Sequence, residues 1–269
     1  LVEILTSPAN STLKRIRSLH EKKYRRSEGL FLAEGLRIVA EAVEAGVVPE
    51  LLVFAEDAQS GARAQPLVAR LIAVTEGAGG EAIATSRAML HKLTGKDNPQ
   101  AVLGVFRQRA TPLASLDRGL APIWLVAQAL NDPGNLGTML RTGDAVGAGG
   151  IILLDDGCDP FSVEAVRASM GAVFTQAVVQ TSGAAFFDWV RRGAGFVAGA
   201  SLLTATDYRV VRYAAPTFVL MGNEQAGLPP EYAVQCDALV KLPMRGKADS
   251  LNVAVAAGVL LYEVRGQLG

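Results

Sequence analysis

The chain has 269 residues, half of them hydrophobic, and its 26 basic side chains are balanced by 26 acidic ones. That length and apolar content suit one large domain or two ordinary ones and exclude a disordered chain, while the charge balance excludes a uniformly basic nucleic-acid coat. Two distant cysteines, Cys158 and Cys236, and two histidines, His20 and His91, argue against a disulfide framework and against any metal site, and they point to a reducing cytoplasm.

The first residues lack the apolar core of a signal peptide, and no apolar run reaches the roughly 18 residues of a membrane span, so neither a leader nor a membrane anchor is expected. Residues 14–26 gather Lys14, Arg15, Arg17, Lys22, Lys23, Arg25 and Arg26 against Glu21 alone. Such a run is either a solvated helix face or an electrostatic grip on phosphates. The polar stretch from Thr6 to Thr12 ahead of it suits a helix start. FLAEGLRIVAEAVEAG (31–46) predicts one amphipathic helix, with Leu36, Val39, Ala40 and Val43 at helical spacing and Gly46 at its end. LLVFA (51–55), LIAVT (71–75) and AVLGVFR (101–107) read as strand candidates. Residues 1–110 therefore predict a small α/β domain, and 111–122, with two prolines and several turn formers, a linker.

From Ile123 onward the pattern is cleaner. IWLVAQAL (123–130) is a continuous apolar run, as a strand buried on both faces should be. A helix is predicted over about 135–147, then a strand at IILLDD (151–156), a helix at FSVEAVRASMG and a strand at VFTQAVVQ (173–180). A helix at AAFFDWVRRG, strands at FVAGASL and TFVLMG (217–222), a short helix at LPPEYAVQCD, a strand at ALVKLP (238–243) and a helix over 250–265 complete residues 123–269. Strands alternating with helices predict a mostly parallel sheet covered on both faces. Such sheets bind ligands beyond the carboxyl ends of their strands, which directs attention to the loops after Leu130, Leu220 and Leu242.

The first loop, NDPGNLGTMLRTGD (131–144), has an Asp132-Pro133-Gly134 turn, and Asn135 is positioned to cap the next helix. Leu136 and Leu140 would face the core, with Arg141 on another side. The second, MGNEQAGLPPE (221–231), holds Glu224 between Gly222 and Gly227, which permit close backbone approach or positive φ. It lacks the Lys-Ser/Thr pair of a phosphate loop and the spacing of a dinucleotide fingerprint. The third, LPMRGKADSLN (242–252), is flexible and partly basic, with Ser250 as a helix-start candidate and Asn252 in the first turn. Together the loops bring Asn135, Arg141, Glu224, Ser250 and Asn252 to the strand ends. There is no nucleophile–histidine pair, so the chemistry should rest on positioning and charge stabilisation.

NDPGNLGTMLRTGDAVGAGGIIL, FVLMGNEQAGLP and KLPMRGKADSLNVAVAAGVLLYE resemble, in that order, the three motifs of the SpoU (TrmH-type) RNA 2'-O-ribose methyltransferases of the SPOUT class. SPANSTLKRIRSLHEKKYRRSEGLFLAEGLRIVAEAV resembles the substrate-binding domain found on many rRNA-acting members. The resemblance implies an α/β protein with a C-terminal α/β-knot over 123–269, a deep trefoil with a mostly parallel sheet, and a smaller N-terminal α/β RNA substrate-binding domain. It implies S-adenosyl-L-methionine as cofactor, held by Met221, Gly222, Leu242, Pro243, Met244 and Leu251. It also implies a homodimer through the C-terminal domain and RNA, rRNA foremost, as partner. The catalytic positions fall on Asn135, Arg141, Glu224, Ser250 and Asn252. Phosphate contacts would come from Lys14, Arg15, Lys22, Lys23, Arg25 and Arg26.

An arginine pKa above 12 makes a free-base form costly, so Arg141 is expected to bind phosphate and stabilise developing alkoxide charge. Asn135 and Asn252 would orient Arg141 or the ribose. Glu224 would fix its loop or pair with Arg141, and Ser250 would hold the knot geometry. The competing readings are tRNA ribose methylation, a resistance enzyme acting on the ribosome, a non-catalytic RNA-binding assembly factor, and a nucleotide-dependent oxidoreductase, against which the missing dinucleotide fingerprint speaks.

Overall fold

A computed structural model describes residues 3–5, 10–59, 65–95 and 100–269. The chain divides into two compact units, Leu1–Gln108 with Phe161–Phe174, and Arg109–Pro160 with Thr175–Gly269.

In the first unit, strand β1 (Glu3–Leu5) precedes helices α1 (Ser11–Ser18) and α2 (Lys22–Glu28). The expected helix start narrows to Asn10, whose side chain accepts from Thr12 N and Leu13 N; Thr6 to Ala9 lie outside the described residues. The single helix expected over 31–46 is two elements. Leu30–Glu34 form strand β2, buried at all five positions, and helix α3 is Leu36–Glu44. Gly35 between them takes φ +119, which ends the strand and which a side chain would resist. Strand β3 (Leu51–Ala55) follows as expected.

LIAVT (71–75) is not a strand but part of helix α4 (Gln65–Gly77), which buries Val68, Leu71 and Thr75 on one face. The strand lies further on, β4 (Glu81–Thr85), before helix α5 (Arg87–Thr94) and strand β5 (Val102–Arg107). The sheet order is β1-β4-β3-β5-β2, with β5 antiparallel to both its neighbours. A short apolar run does not distinguish strand from buried helix by itself, and here length decided against LIAVT.

The second unit opens at Arg109 and takes in 111–122, expected as a linker. It is packed rather than loose. Leu116 and Ala121 are buried. Arg118 stacks on the Trp189 ring at 3.7 Å and donates to the carbonyls of Trp189 and Val190. Strand β6 (Ile123–Gln128), helix α6 (Pro133–Ala145) and strand β7 (Gly150–Leu154) follow. The chain then contributes helices α7 (Val163–Ser169) and α8 (Ala172–Thr175), a stretch that clusters with the first unit up to Phe174. Aromatic packing gives the reason: Phe161 lies 5.1 Å from Phe31, and Phe174 lies 4.8 Å from Phe106, ring centre to ring centre.

The expected strand at 173–180 is therefore confined to β8 (Ala177–Thr181). Helix α9 (Gly183–Arg191), strands β9 (Phe196–Ala200) and β10 (Thr217–Met221), helix α10 (Pro230–Ala233), strand β11 (Ala238–Val240) and helix α11 (Val253–Leu268) complete the unit. Its six strands are all parallel, in the order β11-β9-β10-β6-β7-β8. β6 and β10 are neighbours, yet the chain leaves β6 toward β7 and leaves β10 toward β11. That is a topological switch point, where a crevice opens beyond the strand ends.

Candidate active site

Three loops meet at that crevice. The first follows β6 and enters α6. Its helix cap is Asp132, which accepts from Asn135 N at 2.7 Å, and not Asn135 as the sequence suggests. Asn135 sits in the first turn, so its side chain is free to reach outward. Leu136 and Leu140 are buried and Arg141 is exposed, as expected.

The second loop, after β10, closes on itself. Asn223 N donates to Gly227 O at 3.1 Å and Gly227 N donates back at 2.9 Å. Gly227 takes φ +71. Gly222 must be glycine because a Cβ there would lie 2.3 Å from Gly227 C and 2.5 Å from Leu228 N. The third loop leads from β11 into α11. Asn252, not Ser250, caps that helix by accepting from Ala254 N and Val255 N. Ser250 is exposed and its hydroxyl donates to Asp249.

A chain of hydrogen bonds joins the loops. Asn252 Nδ2 donates to Asn135 Oδ1 at 2.9 Å, and Asn135 Nδ2 donates to Glu224 Oε1 at 3.4 Å. Glu224 also accepts from the backbone N–H groups of Asn131 and Asp132 at 3.2 and 3.3 Å. The carboxylate thus fixes the entry to α6 and does not pair with Arg141. The two asparagines orient each other rather than Arg141. The Arg141 side chain makes no hydrogen bond or ion pair among the described residues, and its guanidinium is left available to a ligand.

Beside this network lies a cleft of ≈ 390 Å³, within the size range of small-molecule sites. Of the expected cofactor residues, Met221, Gly222, Leu242, Met244 and Leu251 line it, together with Glu224 and Ser250. Pro243 instead lines the adjoining hollow with Asp207 and Arg245. Asn135, Arg141 and Asn252 are not part of the wall. A fourth loop, Ser201 to Leu203, lines the cleft as well; FVAGASL reads as strand through Leu202, but β9 ends at Ala200 and frees these residues for the cleft. Asn223 lines the cleft too and carries no sequence signal beside its neighbour Glu224, whose carboxylate is the more conspicuous chemistry. Apolar side chains, two glycines (Gly222 and Gly227) and loop backbone make a wall suited to a flat adenine ring and to main-chain recognition, with Glu224, Lys241 and Asp249 as its charged members, so the residues present fit an adenosyl cofactor.

The basic run in the first unit divides. Lys14, Arg17, Lys23 and Arg26 are exposed and Lys22 is half-buried. Arg15 pairs with Glu28, and Lys23 with Glu21 at 3.1 Å. Arg25 is only 4% exposed and donates to the carbonyls of Leu19 and His20, both at 2.8 Å. It locks the turn between α1 and α2, so it is a structural residue and not a phosphate contact.

Comparison with known proteins gives the same picture. Residues 122–262 match the SpoU rRNA Methylase family, and residues 10–104 match the MRM3-like substrate binding domain. The chain is 31% identical to the 23S rRNA (guanosine(2553)-2'-O)-methyltransferase RlmP of Bacillus subtilis, over 97% of this chain and 99% of the relative. It is also 31% identical to a 23S rRNA (uridine(2479)-2'-O)-methyltransferase of Streptomyces viridochromogenes, over 91% of this chain and 85% of that one. The crystal structure of an AdoMet-bound rRNA methyltransferase from Sinorhizobium meliloti superposes with a TM-score of 0.91 at 39% identity, covering 100% of this chain and 99% of that one.

Proposed function

The chain belongs to the SpoU rRNA methylase family, and from that premise we propose that it methylates a ribose 2'-hydroxyl of rRNA at the expense of S-adenosyl-L-methionine. The observation that carries this reading is the Asn252–Asn135–Glu224 chain beside the cleft. It joins three loops of one strand-end crevice into one rigid frame. Bound in the cleft, the cofactor supplies an activated sulfonium methyl.

The protein's own work is then alignment and charge. Met221, Leu242, Met244 and Leu251 exclude water from the apolar wall. The asparagine pair and Glu224 hold the start of α6, and α6 carries Arg141. Arg141 binds an RNA phosphate and stabilises the negative charge that develops on the 2'-oxygen, while the proton leaves to phosphate or water. Electrostatic groups already in place act without reorganisation at the moment of transfer. Ser250 borders the cleft and keeps the third loop in register.

We extend the proposal to the substrate and the assembly. Residues 1–110, with the exposed cations of α1 and α2, bind rRNA, and 123–269 hold the catalytic domain with its C-terminal segment threaded as a knot. α11 exposes Val255 and Tyr262, at 53% and 60%, one stripe along the helix, and this apolar face fits a second copy of the chain. No helix among the described residues is long and apolar enough to cross a membrane, and we place the protein with its rRNA in the cytoplasm. The two relatives are named for different nucleotides, so the target base is set outside the shared frame.

The test is methyl transfer from labelled S-adenosyl-L-methionine to 23S rRNA and to ribosomal subunits from cells lacking this protein, followed by mapping of 2'-O-methyl sites. One new ribose methyl is expected. Label on tRNA alone, or none on any RNA, would overturn the reading.

A further inference from the structure

Asn223 makes five hydrogen bonds of two kinds. Its backbone closes the 223–227 loop, and its Oδ1 accepts from Gln225 N at 2.9 Å and Ala226 N at 3.0 Å. Its Nδ2 donates to Ala129 O at 2.7 Å, across to the other loop. The partners fix the amide's orientation, because two N–H groups need an oxygen and a carbonyl needs an N–H. A serine or threonine hydroxyl donates and accepts through one atom; asparagine carries its donor and its acceptor on separate atoms that face the two loops at once.

What it grips is a strained place. Ala129 takes φ +46, a region a non-glycine residue rarely adopts. Its N–H is bonded to Leu154 O and the next carbonyl, of Leu130, accepts from Cys158 N. Two residues further on, Glu224 holds the N–H groups of Asn131 and Asp132. Residues 129–132 are therefore strapped from the cofactor loop at two points, immediately before α6 and Arg141.

Resting on the methyltransferase reading above, we infer that Asn223 is a positioning residue that couples the cofactor loop to the catalytic helix. One arm keeps the loop closed for the cofactor. The other sets the angle at which α6 leaves the sheet. A misplacement of about 1 Å at the reacting groups costs on the order of a hundredfold in rate, so the second arm should govern turnover and the first should govern cofactor affinity.

The two arms separate chemically. Asn223→Asp keeps the acceptor for Gln225 and Ala226 and loses the donor to Ala129. Asn223→Ser does the same without adding a charge, since a serine hydroxyl also accepts within a turn but is too short to cross to Ala129. For both variants we expect cofactor affinity by calorimetry within about threefold of wild type and single-turnover methyl transfer slowed about tenfold or more. Asn223→Ala should lose both. Wild-type rates in the aspartate and serine variants would overturn the inference. So would a loss of cofactor affinity as large as the loss of rate, which would make Asn223 a loop residue only. Absence of transfer by the wild-type protein would overturn the functional reading itself, and is told apart by that control.

Discussion

The side chain of Asn252 reaches that of Asn135 across 117 positions of sequence, at 2.9 Å. One amide does two jobs here. Asn252 Oδ1 caps α11, and Asn252 Nδ2 sets the orientation of Asn135, whose own Nδ2 is thereby turned toward Glu224. The order of the loop after β6 depends on the loop before α11 through this contact.

Asn252→Asp should expose that dependence. The carboxylate still caps the helix but faces the Asn135 oxygen with no proton to give. Either the two oxygens repel, or Asn135 flips and abandons Glu224. We expect a melting temperature close to wild type with a clear loss of single-turnover rate. Asn252→Ala should lose the rate and also about 1 kcal/mol of stability with the cap. Equal rates in wild type and Asn252→Asp would mean that the relay is idle in catalysis.

Gly222 gives a second prediction. A Cβ there would strike Gly227 C at 2.3 Å before it met any ligand. Alanine, and not only valine, should therefore force the loop open, at about 1–3 kcal/mol of strain, and cofactor affinity should fall by more than tenfold. Gly227 differs: nothing lies near its missing Cβ, and its need is only φ +71. Gly227→Asn, a residue that tolerates that region, should keep the loop closed and the fold stable, and any loss of affinity would come from its side chain entering the cleft that Gly227 lines. Calorimetric titration of both variants checks the pair, and intact affinity in Gly222→Ala would remove the close-approach argument.

The sequence exposed the parallel sheet and its three loops because buried parallel strands are continuous apolar runs and glycine-bracketed turns stand out between them. It misassigned 31–34, which pairs as a strand ahead of the helix read correctly from Leu36, and LIAVT, where a short apolar stretch has no period of its own and tertiary pairing decides. Helix caps were off by two or three residues at both α6 and α11, since Asp132 and Asn135, like Ser250 and Asn252, are all good caps on paper. Arg25 read as one cation among seven because burial leaves no mark on a charged letter. Asn223 had no signal at all: its value comes from Ala129, 94 positions away.

The basic helices allow a third test. Alanine at Lys14, Arg17 and Arg26 removes exposed cations that make no hydrogen bond or ion pair among the described residues. Folding should be unchanged, RNA binding weaker, and the salt dependence flatter by about 0.7–0.9 log unit per lost phosphate contact. Arg25→Ala should do the opposite. It strands the carbonyls of Leu19 and His20 and should cost about 1–3 kcal/mol of stability. Filter binding over a salt series, with thermal unfolding of each variant, distinguishes the two. An unchanged slope in the triple variant would return the run to an ordinary solvated surface.

Arg141 is the sharpest case. It is exposed and its side chain bonds to nothing among the described residues, so the fold does not need it, and Arg141→Ala should unfold within about 0.5 kcal/mol of wild type. It does not line the cleft, so cofactor affinity should also hold. If it stabilises charge that appears only during transfer, the whole loss falls on turnover, and one such group is typically worth about 10²–10³ in rate. Arg141→Lys keeps the charge but not the planar fork that grips a phosphate at two points, so it should recover little. The pH–rate profile separates mechanisms: a lysine acting as base would shift the rising limb downward, whereas loss of an electrostatic clamp lowers the rate and leaves the limb in place. Single-turnover transfer to an accepted RNA is the measurement. A wild-type rate in Arg141→Ala would dismiss it from the chemistry and leave charge stabilisation to be sought among Lys241, Arg245 and Lys247 on the third loop.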